Sequence, residues 1–277
     1  MSRFTTLRGV PLSTWAPLGV LVVITLAVAV GPAVLPHGAE EIVGDLWEPM
    51  SSAHPLGTDQ LGRDMLARVL EGGRTSLSLA AVIAVLAFLL GSGAGLTAAF
   101  LGGWVDTALS RAVDLLMAFP PLIFALLTIA VLGNSIPVLV TVLTLFEALR
   151  IFRLTRSLAM EIAVQEFVAV ARLRGEGIGW ILFREILPNS MVPLMAELAI
   201  RFVFGLLFLS SLSFLGLGVP PPAPDWGGMV RDNAPAISFG LSAPLVPAAM
   251  IAVVAVCVNL VADSLLHTRG RSRSAEG

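Results

Sequence analysis

The sequence predicts an all-α integral membrane protein with six transmembrane helices. Three observations carry that prediction. Hydrophobic residues fill 56% of the 277 positions and charged residues only 13%, whereas a soluble domain is about a quarter charged. Several apolar runs approach or exceed the ~20 residues that a helix needs to cross about 30 Å of hydrocarbon. The arginines, finally, fall unevenly between the segments that join those runs.

The first span is expected from Ala16 to Leu35, ending near Pro36. A cleaved signal peptide would carry a shorter apolar region of about 7–15 residues, so a retained helix is expected. The loop that follows holds seven acids: Glu40, Glu41, Asp45, Glu48, Asp59, Asp64 and Glu71. Its LGTDQLGRD block, Leu56 to Asp64, offers Thr58 or Asp59 as the N-cap of an amphipathic lead-in helix. The second span is Thr75–Leu101, and its Gly91–Gly95 stretch has the GxxxG spacing that lets helices approach closely. The third, Thr107–Leu132, should kink at Phe119-Pro120-Pro121, because proline removes a backbone donor. A turn at Gly133–Pro137 leads into a short fourth span, Val138–Thr155, that ends in charge. The fifth and sixth are Asn189–Leu212 and Leu245–Leu266. The organisation is then residues 1–74, a helix with loop and lead-in; 75–266, the core membrane domain, with a polar connecting segment at 157–188; and 267–277, a short basic tail.

All 17 basic residues are Arg. A Walker A loop needs a Lys, so any ATP hydrolysis belongs to a partner and this chain needs no nucleotide or other cofactor. Cys257 stands alone, which precludes an internal disulfide. His37, His54 and His267 lie too far apart in sequence for a zinc motif. Six spans place both termini on one side. That side would carry twelve arginines (3, 8, 111, 150, 153, 156, 172, 174, 184, 269, 271 and 273), against four (63, 68, 74 and 231) on the other. The positive-inside rule makes the richer side cytoplasmic. No period of 20–50 residues and no inverted repeat is evident.

Ser157–Arg174 reads as a helix that Gly175 and Gly177 interrupt, followed by a second short helix over Ile178–Ile186. Pro188 should stop that helix and start the fifth span. Two readings fit: a crosswise helix docked on another protein, or an amphipathic helix in the headgroups. Glu197 and Arg201 stand four apart inside the fifth span and share a helix face. Ionisable groups at such depth face a cavity or a partner. They line a solute path, with Phe119 at the kink as a further candidate, or they neutralise each other. Glu147 and Arg150 pose the same choice. Gly216–Gly228 reads as a rigid loop with Asp225 and Trp226 exposed toward an external partner, or as a structural re-entrant loop.

The segment EFVAVARLRGEGIGWILFREILPN, Glu166 to Asn189, resembles the coupling motif of permease subunits in ATP-binding-cassette importers, with Ala169, Ala171, Gly175, Leu187 and Pro188 matching. HPLGTDQLGRDMLARVLEGGRTSLSLA (54–80) and SLSFLGLGVPPPAPDWGGMVRDN (211–233) resemble the dipeptide/oligopeptide/nickel branch of that family. DLLMAFP (114–120), RLTRS (153–157) and NLVADSLL (259–266) are shorter echoes. The sequence departs from the pattern at Ala169, which replaces the motif's acidic residue, with Val170 beside it, and at Glu185 and Leu209. The resemblance implies a MetI-like, type I importer permease fold. It implies ATPase coupling through Glu166, Ala169, Ala171, Arg172, Gly175, Leu187 and Pro188, and contact of Asp225 and Trp226 with a binding protein. The partners it implies are a homologous second permease, two ABC ATPase subunits carrying ATP and Mg, an extracytoplasmic solute-binding protein and the lipid bilayer, with no nucleic acid. A nickel or metal-chelate importer and a stand-alone secondary transporter are the alternatives.

Overall fold

The structure, a computed structural model, describes residues 12–274. Among them ten α-helices follow in order: α1 Leu12–Val34, α2 Met65–Leu101, α3 Gly103–Met117, α4 Pro121–Leu132, α5 Ile136–Ala163, α6 Glu166–Leu173, α7 Ile178–Ile181, α8 Leu187–Phe214, α9 Trp226–Asn233 and α10 Leu245–Ser274. Extended pairing among the described residues is confined to isolated bridges, Ile42 with Arg63 and Thr58 with Asp64. Arg3, Arg8 and residues 275–277 lie outside the described residues, as do the side chains of Arg269, Arg271 and Arg273. The expected tail instead continues α10 to Ser274. The described chain divides into two compact units. One takes the residues up to Leu77, Ser213–Gly216 and those from Pro221 onward; the other takes Ser78–Leu212 and Leu217–Pro220.

In the first unit α1 packs along α10. The loop after α1 is tied by polar contacts rather than by regular structure. Asp59, almost fully buried, accepts from the backbone of Leu61 and Arg63 and from Arg63 Nε at 2.8 Å. Glu40 pairs with both Arg63 and Arg68. Glu48 N–H donates to Thr58 Oγ1, which donates to Asp45 O. Gly62 has φ +74, and a Cβ there would lie 2.1 Å from Gly44 O, so only glycine fits. Neither Thr58 nor Asp59 caps a helix. Asp64 does, accepting from Ala67 N–H at 2.9 Å, because Asp59 is held by arginine. The lead-in and second span then run as one helix of 37 residues.

Trp226 and Asp225 are buried, which corrects the expected exposure. The Trp226 ring packs against Gly73, where a Cβ would come within 2.7 Å of it. Its Nε1–H donates to Val69 O, and its backbone N–H donates to Ser76 Oγ. Asp225 caps α9 by accepting from Gly228 N–H. Gly73 of α2 is therefore the packing surface for the indole.

In the second unit α5 is central. Leu139, Leu143, Phe146, Leu149, Ile151 and Phe152 are among its buried side chains. Gly91 and Gly95 of α2 press on it: a Cβ at Gly91 would lie 2.5 Å from Ala148 O, and one at Gly95 2.8 Å from Phe152 O. Asp114 and Asp106 of α3 pair with Arg153 and Arg156 of α5. The third expected span is two helices, α3 and α4, bent by 84° at Ala118–Pro120. Pro120 adopts extended backbone and Pro121 opens α4, positions where a missing N–H leaves no helical bond unmade.

Among the described residues four helical stretches are long and apolar enough to cross a membrane: Trp15–Val34, Met65–Leu101, Ile178–Phe214 and Leu245–Ser264; the bent pair would be a fifth. The chain is thus an all-α, multi-pass membrane protein. The expected fourth span lies in α5, which is 28 residues long rather than short. Its charges keep it out of the apolar set, so an exact six is not established by length and hydropathy. Arg150, grouped by sequence with the cytoplasmic arginines, sits in the middle of α5, fourteen residues from Ile136 and thirteen from Ala163.

Gly91→Ala is expected to force α2 and α5 apart, lowering stability by about 1–3 kcal/mol. Gly93→Ala, where a Cβ meets nothing within 4 Å, should leave it unchanged or slightly higher. Thermal unfolding of both in detergent checks this. Burial pushes the Asp225 carboxyl above its usual range, against the Ser213 hydroxyl, the Gly228 and Gly227 N–H groups and Arg231, which pull it down. The folded state then holds that proton more tightly than the unfolded chain. The charge therefore lowers stability above the raised pKa and is relieved as pH falls through it. Asp225→Asn keeps an acceptor oxygen and sheds the charge, so it should be neutral or stabilising at pH 7. Asp225→Ala should lose about 1 kcal/mol of capping. Melting curves at pH 5 and 7 separate the two.

Candidate functional site

Two constructions stand out in the second unit. The first is the segment between α5 and α8. The helix expected over Ser157–Arg174 breaks at Val164–Gln165, and α6 begins anew with the Gln165 carbonyl accepting from Val168 and Ala169. No glycine or proline marks that break. The far end of α6 is as expected. Gly175 has φ +80; its N–H donates to Arg172 O, and Glu176 N–H donates to Ala171 O. This is a Schellman stop, and an L-residue in that backbone costs about 1–2 kcal/mol.

Val168 and Ala171 of α6 are fully buried against Ala159, Ile181 and Ile186. The opposite side bears Phe167, Val170 and Leu173, the last 88% exposed. Glu166, Ala169, Arg172 and Gly175 are also exposed. The eight-residue helix thus has one side fixed to the protein and an apolar ridge, flanked by charges, on the other.

The second short helix does not end at Pro188 as expected. α7 passes through a π-turn, Leu182–Ile186, directly into α8. Pro188 has no N–H to give the Arg184 carbonyl, and its ring would crowd that carbonyl in a regular helix. The wider turn, closed by Leu187 N–H to Leu182 O, relieves both problems. Leu187 is half-buried and Pro188 exposed.

The second construction is a buried charge network joining α5 to α8. Glu147 is fully buried. Its Oε1 accepts from Arg150 NH1 at 2.9 Å, and its Oε2 accepts from Arg201 NH1 at 2.9 Å. Arg201 Nε lies 2.8 Å from Glu197 Oε1, an ion-pair contact without hydrogen-bond alignment. Both guanidinium groups sit over the Phe204 ring, Arg201 at 4.9 Å and Arg150 at 5.7 Å. The two carboxylates and two guanidiniums sum to zero. The two pairs read separately in the sequence are therefore one network, centred on Glu147. Their i,i+3 and i,i+4 spacings were visible signals; the bond across helices was not. Phe119 stands apart: half-exposed at the α3–α4 bend, its ring 6.0 Å from Phe124, it opens onto an apolar groove of about 420 Å³ along α4.

The second unit thus combines an exposed helix with a fixed inner side and a charge network neutralised within the protein. Residues 87–268 match the family described as binding-protein-dependent transport system inner membrane component, and the chain belongs to that family of ABC-transporter permease subunits. The dipeptide transport system permease protein DppC of Alkalihalophilus pseudofirmus is 33% identical over 78% of this chain and 71% of its own length. The glutathione transport system permease protein GsiD of Pectobacterium atrosepticum is 32% identical over 89% and 83%. A Brucella suis chain provisionally assigned as a peptide permease is 37% identical over 90% and 83%.

Glu147→Ala would leave two cations facing one carboxylate, with Arg201 still buried. Breaking a buried pair from one side costs about 3–5 kcal/mol, and a loss of that order is expected in detergent melts. The double change Glu147→Ala with Arg150→Ala restores neutrality and should recover part of it, which a double-mutant cycle measures.

Proposed function

We propose that this chain is the transmembrane permease subunit of an ATP-driven importer of peptides or similar small solutes. It forms half of the translocation pathway beside a homologous permease, in a bacterial inner membrane. The dipeptide and glutathione permeases among its relatives support the solute class. The proposed topology has six spans, with the bent α3–α4 pair as the third, α5 as the fourth, and both termini cytoplasmic.

The observation that carries the reading is α6. Its apolar ridge of Phe167, Val170 and Leu173 is the docking surface for a cytoplasmic ATPase subunit, which binds ATP and Mg. Val168 and Ala171 lock the helix to α5 and to α7 with the π-turn that leads into α8. When the ATPase pair closes on ATP, the displaced α6 takes α5 and α8 with it. The Glu147–Arg201 bond keeps those two helices moving together. Solute delivered by an extracytoplasmic binding protein then enters between the permeases. Bond chemistry stays on the ATPase subunits.

Gly175→Trp tests this. The site is open, so the indole fits sterically within this chain. It strains the left-handed turn and obstructs a docked partner. Wild type is expected to co-purify with the ATPase subunits and to drive ATP-dependent uptake, while Gly175→Trp loses either the subunits or the coupling. Transport by the purified chain with no ATPase present would instead establish a secondary transporter and reject the importer reading.

A further inference from the structure

We propose that Arg150, backed by the Phe204 ring, is where this subunit's half of the pathway meets a carboxylate of the passing solute. The inference rests on the importer reading. Arg150 lies at the middle of α5, and Arg201 lies fourteen residues from Leu187 and thirteen from Phe214, at the middle of α8. At 1.5 Å per residue each is about 20 Å from its helix ends. A guanidinium at that depth is costly against lipid and faces protein or water.

The members of the network differ in how far they are committed. Glu147 uses both oxygens. Arg201, 10% exposed at the side chain, is held between Glu147 and Glu197. Arg150 is 38% exposed at its side chain and gives one N–H bond, to Glu147. A guanidinium has five N–H donors, so an edge suited to two-point carboxylate binding stays available. Glu147 fixes the orientation of that edge. Phe204, 46% exposed beside it, supplies an apolar wall under the cation. Glu147, Arg201 and Glu197 together carry −1, which Arg150 offsets; of the two cations Arg150 is the more exposed, and so the one an incoming carboxylate can reach. Glu197 and Arg201 are then positioning residues, and Arg150 is the contact.

The test uses the assembled transporter with its ATPases and binding protein in proteoliposomes. Cys257 is replaced by Ala, and Phe204→Cys is probed with a water-soluble sulfonate thiol reagent. The solutes are alanine di- and tripeptides as free acids or as C-terminal amides. The thiol introduced at position 204 is expected to react, and the free acids to slow its modification about tenfold or more, the worth of a charge-assisted hydrogen-bond pair. The amides should not slow it. Adding Arg150→Gln should abolish protection, and Arg150→Lys should restore part of it. Three results overturn the proposal: no reaction in any nucleotide state, which places this face against lipid or the partner permease; equal protection by acids and amides; or protection that survives Arg150→Gln. ATP-dependent uptake by the parent complex is measured in parallel. Uptake without protection rejects this inference alone, whereas absence of uptake rejects the importer reading together with it.

Discussion

Glu147 is the constraint around which the membrane-buried half of this permease is arranged. A bare carboxylate in hydrocarbon is untenable, and the chain resolves it with two arginines, one on the same helix and one on α8. The solution fixes three things at once. It sets the rotation of α5, since Glu147 and Arg150 must share a face. It sets the height of α8 against α5, since Arg201 must reach the second oxygen. It also holds the pair close, because a separation of a few ångströms would leave the buried Arg201 and Glu147 without each other's charge. Gly91 and Gly95 act from the other side by letting α2 sit directly on the α5 backbone. Helix contact in lipid has no hydrophobic driving force of its own, so close backbone approach and polar bonds carry that work.

The segment around α6 obeys different rules. There the protein keeps one side of a two-turn helix fixed and leaves the other apolar and unpaired. Ala171 is small because it faces Ile181 and Ile186; the motif resemblance at that position thus has a packing cause within this chain. Ala169 has no such internal cause, being exposed. The loop after α1 is organised by charge around Asp59 and by glycines that permit close backbone approach, while the tryptophan of the later loop takes a buried structural role.

The class of protein and the apolar helices were legible because hydropathy is a bulk property. Proline at 120–121 announced the bend, and Gly175 announced the α6 stop, because each residue has a backbone consequence of its own. Other features were hidden for specific reasons. The α6 start has no punctuating residue. Trp226 looked exposed because its neighbours are glycines and prolines, yet a distant glycine, Gly73 of α2, makes the room it occupies. Asp59 looked like a cap because the sequence does not reveal which acid the arginines will claim. The joining of Glu147 to Arg201 spans 54 positions, and no local period reports it. α5 was expected to be short because its charges masked a helix that the rest of the unit encloses.

The π-turn before Pro188 has a consequence for how this chain tolerates length changes. Ile181 and Ile186, both buried, stand five apart, a spacing that a regular helix would place on different faces. The extra residue advances the helix phase by about 100°, so the inner face of everything downstream is indexed from that turn. Losing one residue between 182 and 186 would leave a helix that still spans, still has the same composition and still reads as apolar. It would nonetheless turn Arg201 away from Glu147. A stretch that looks like slack connecting chain is thus the point that sets the phase of the helix that carries Arg201.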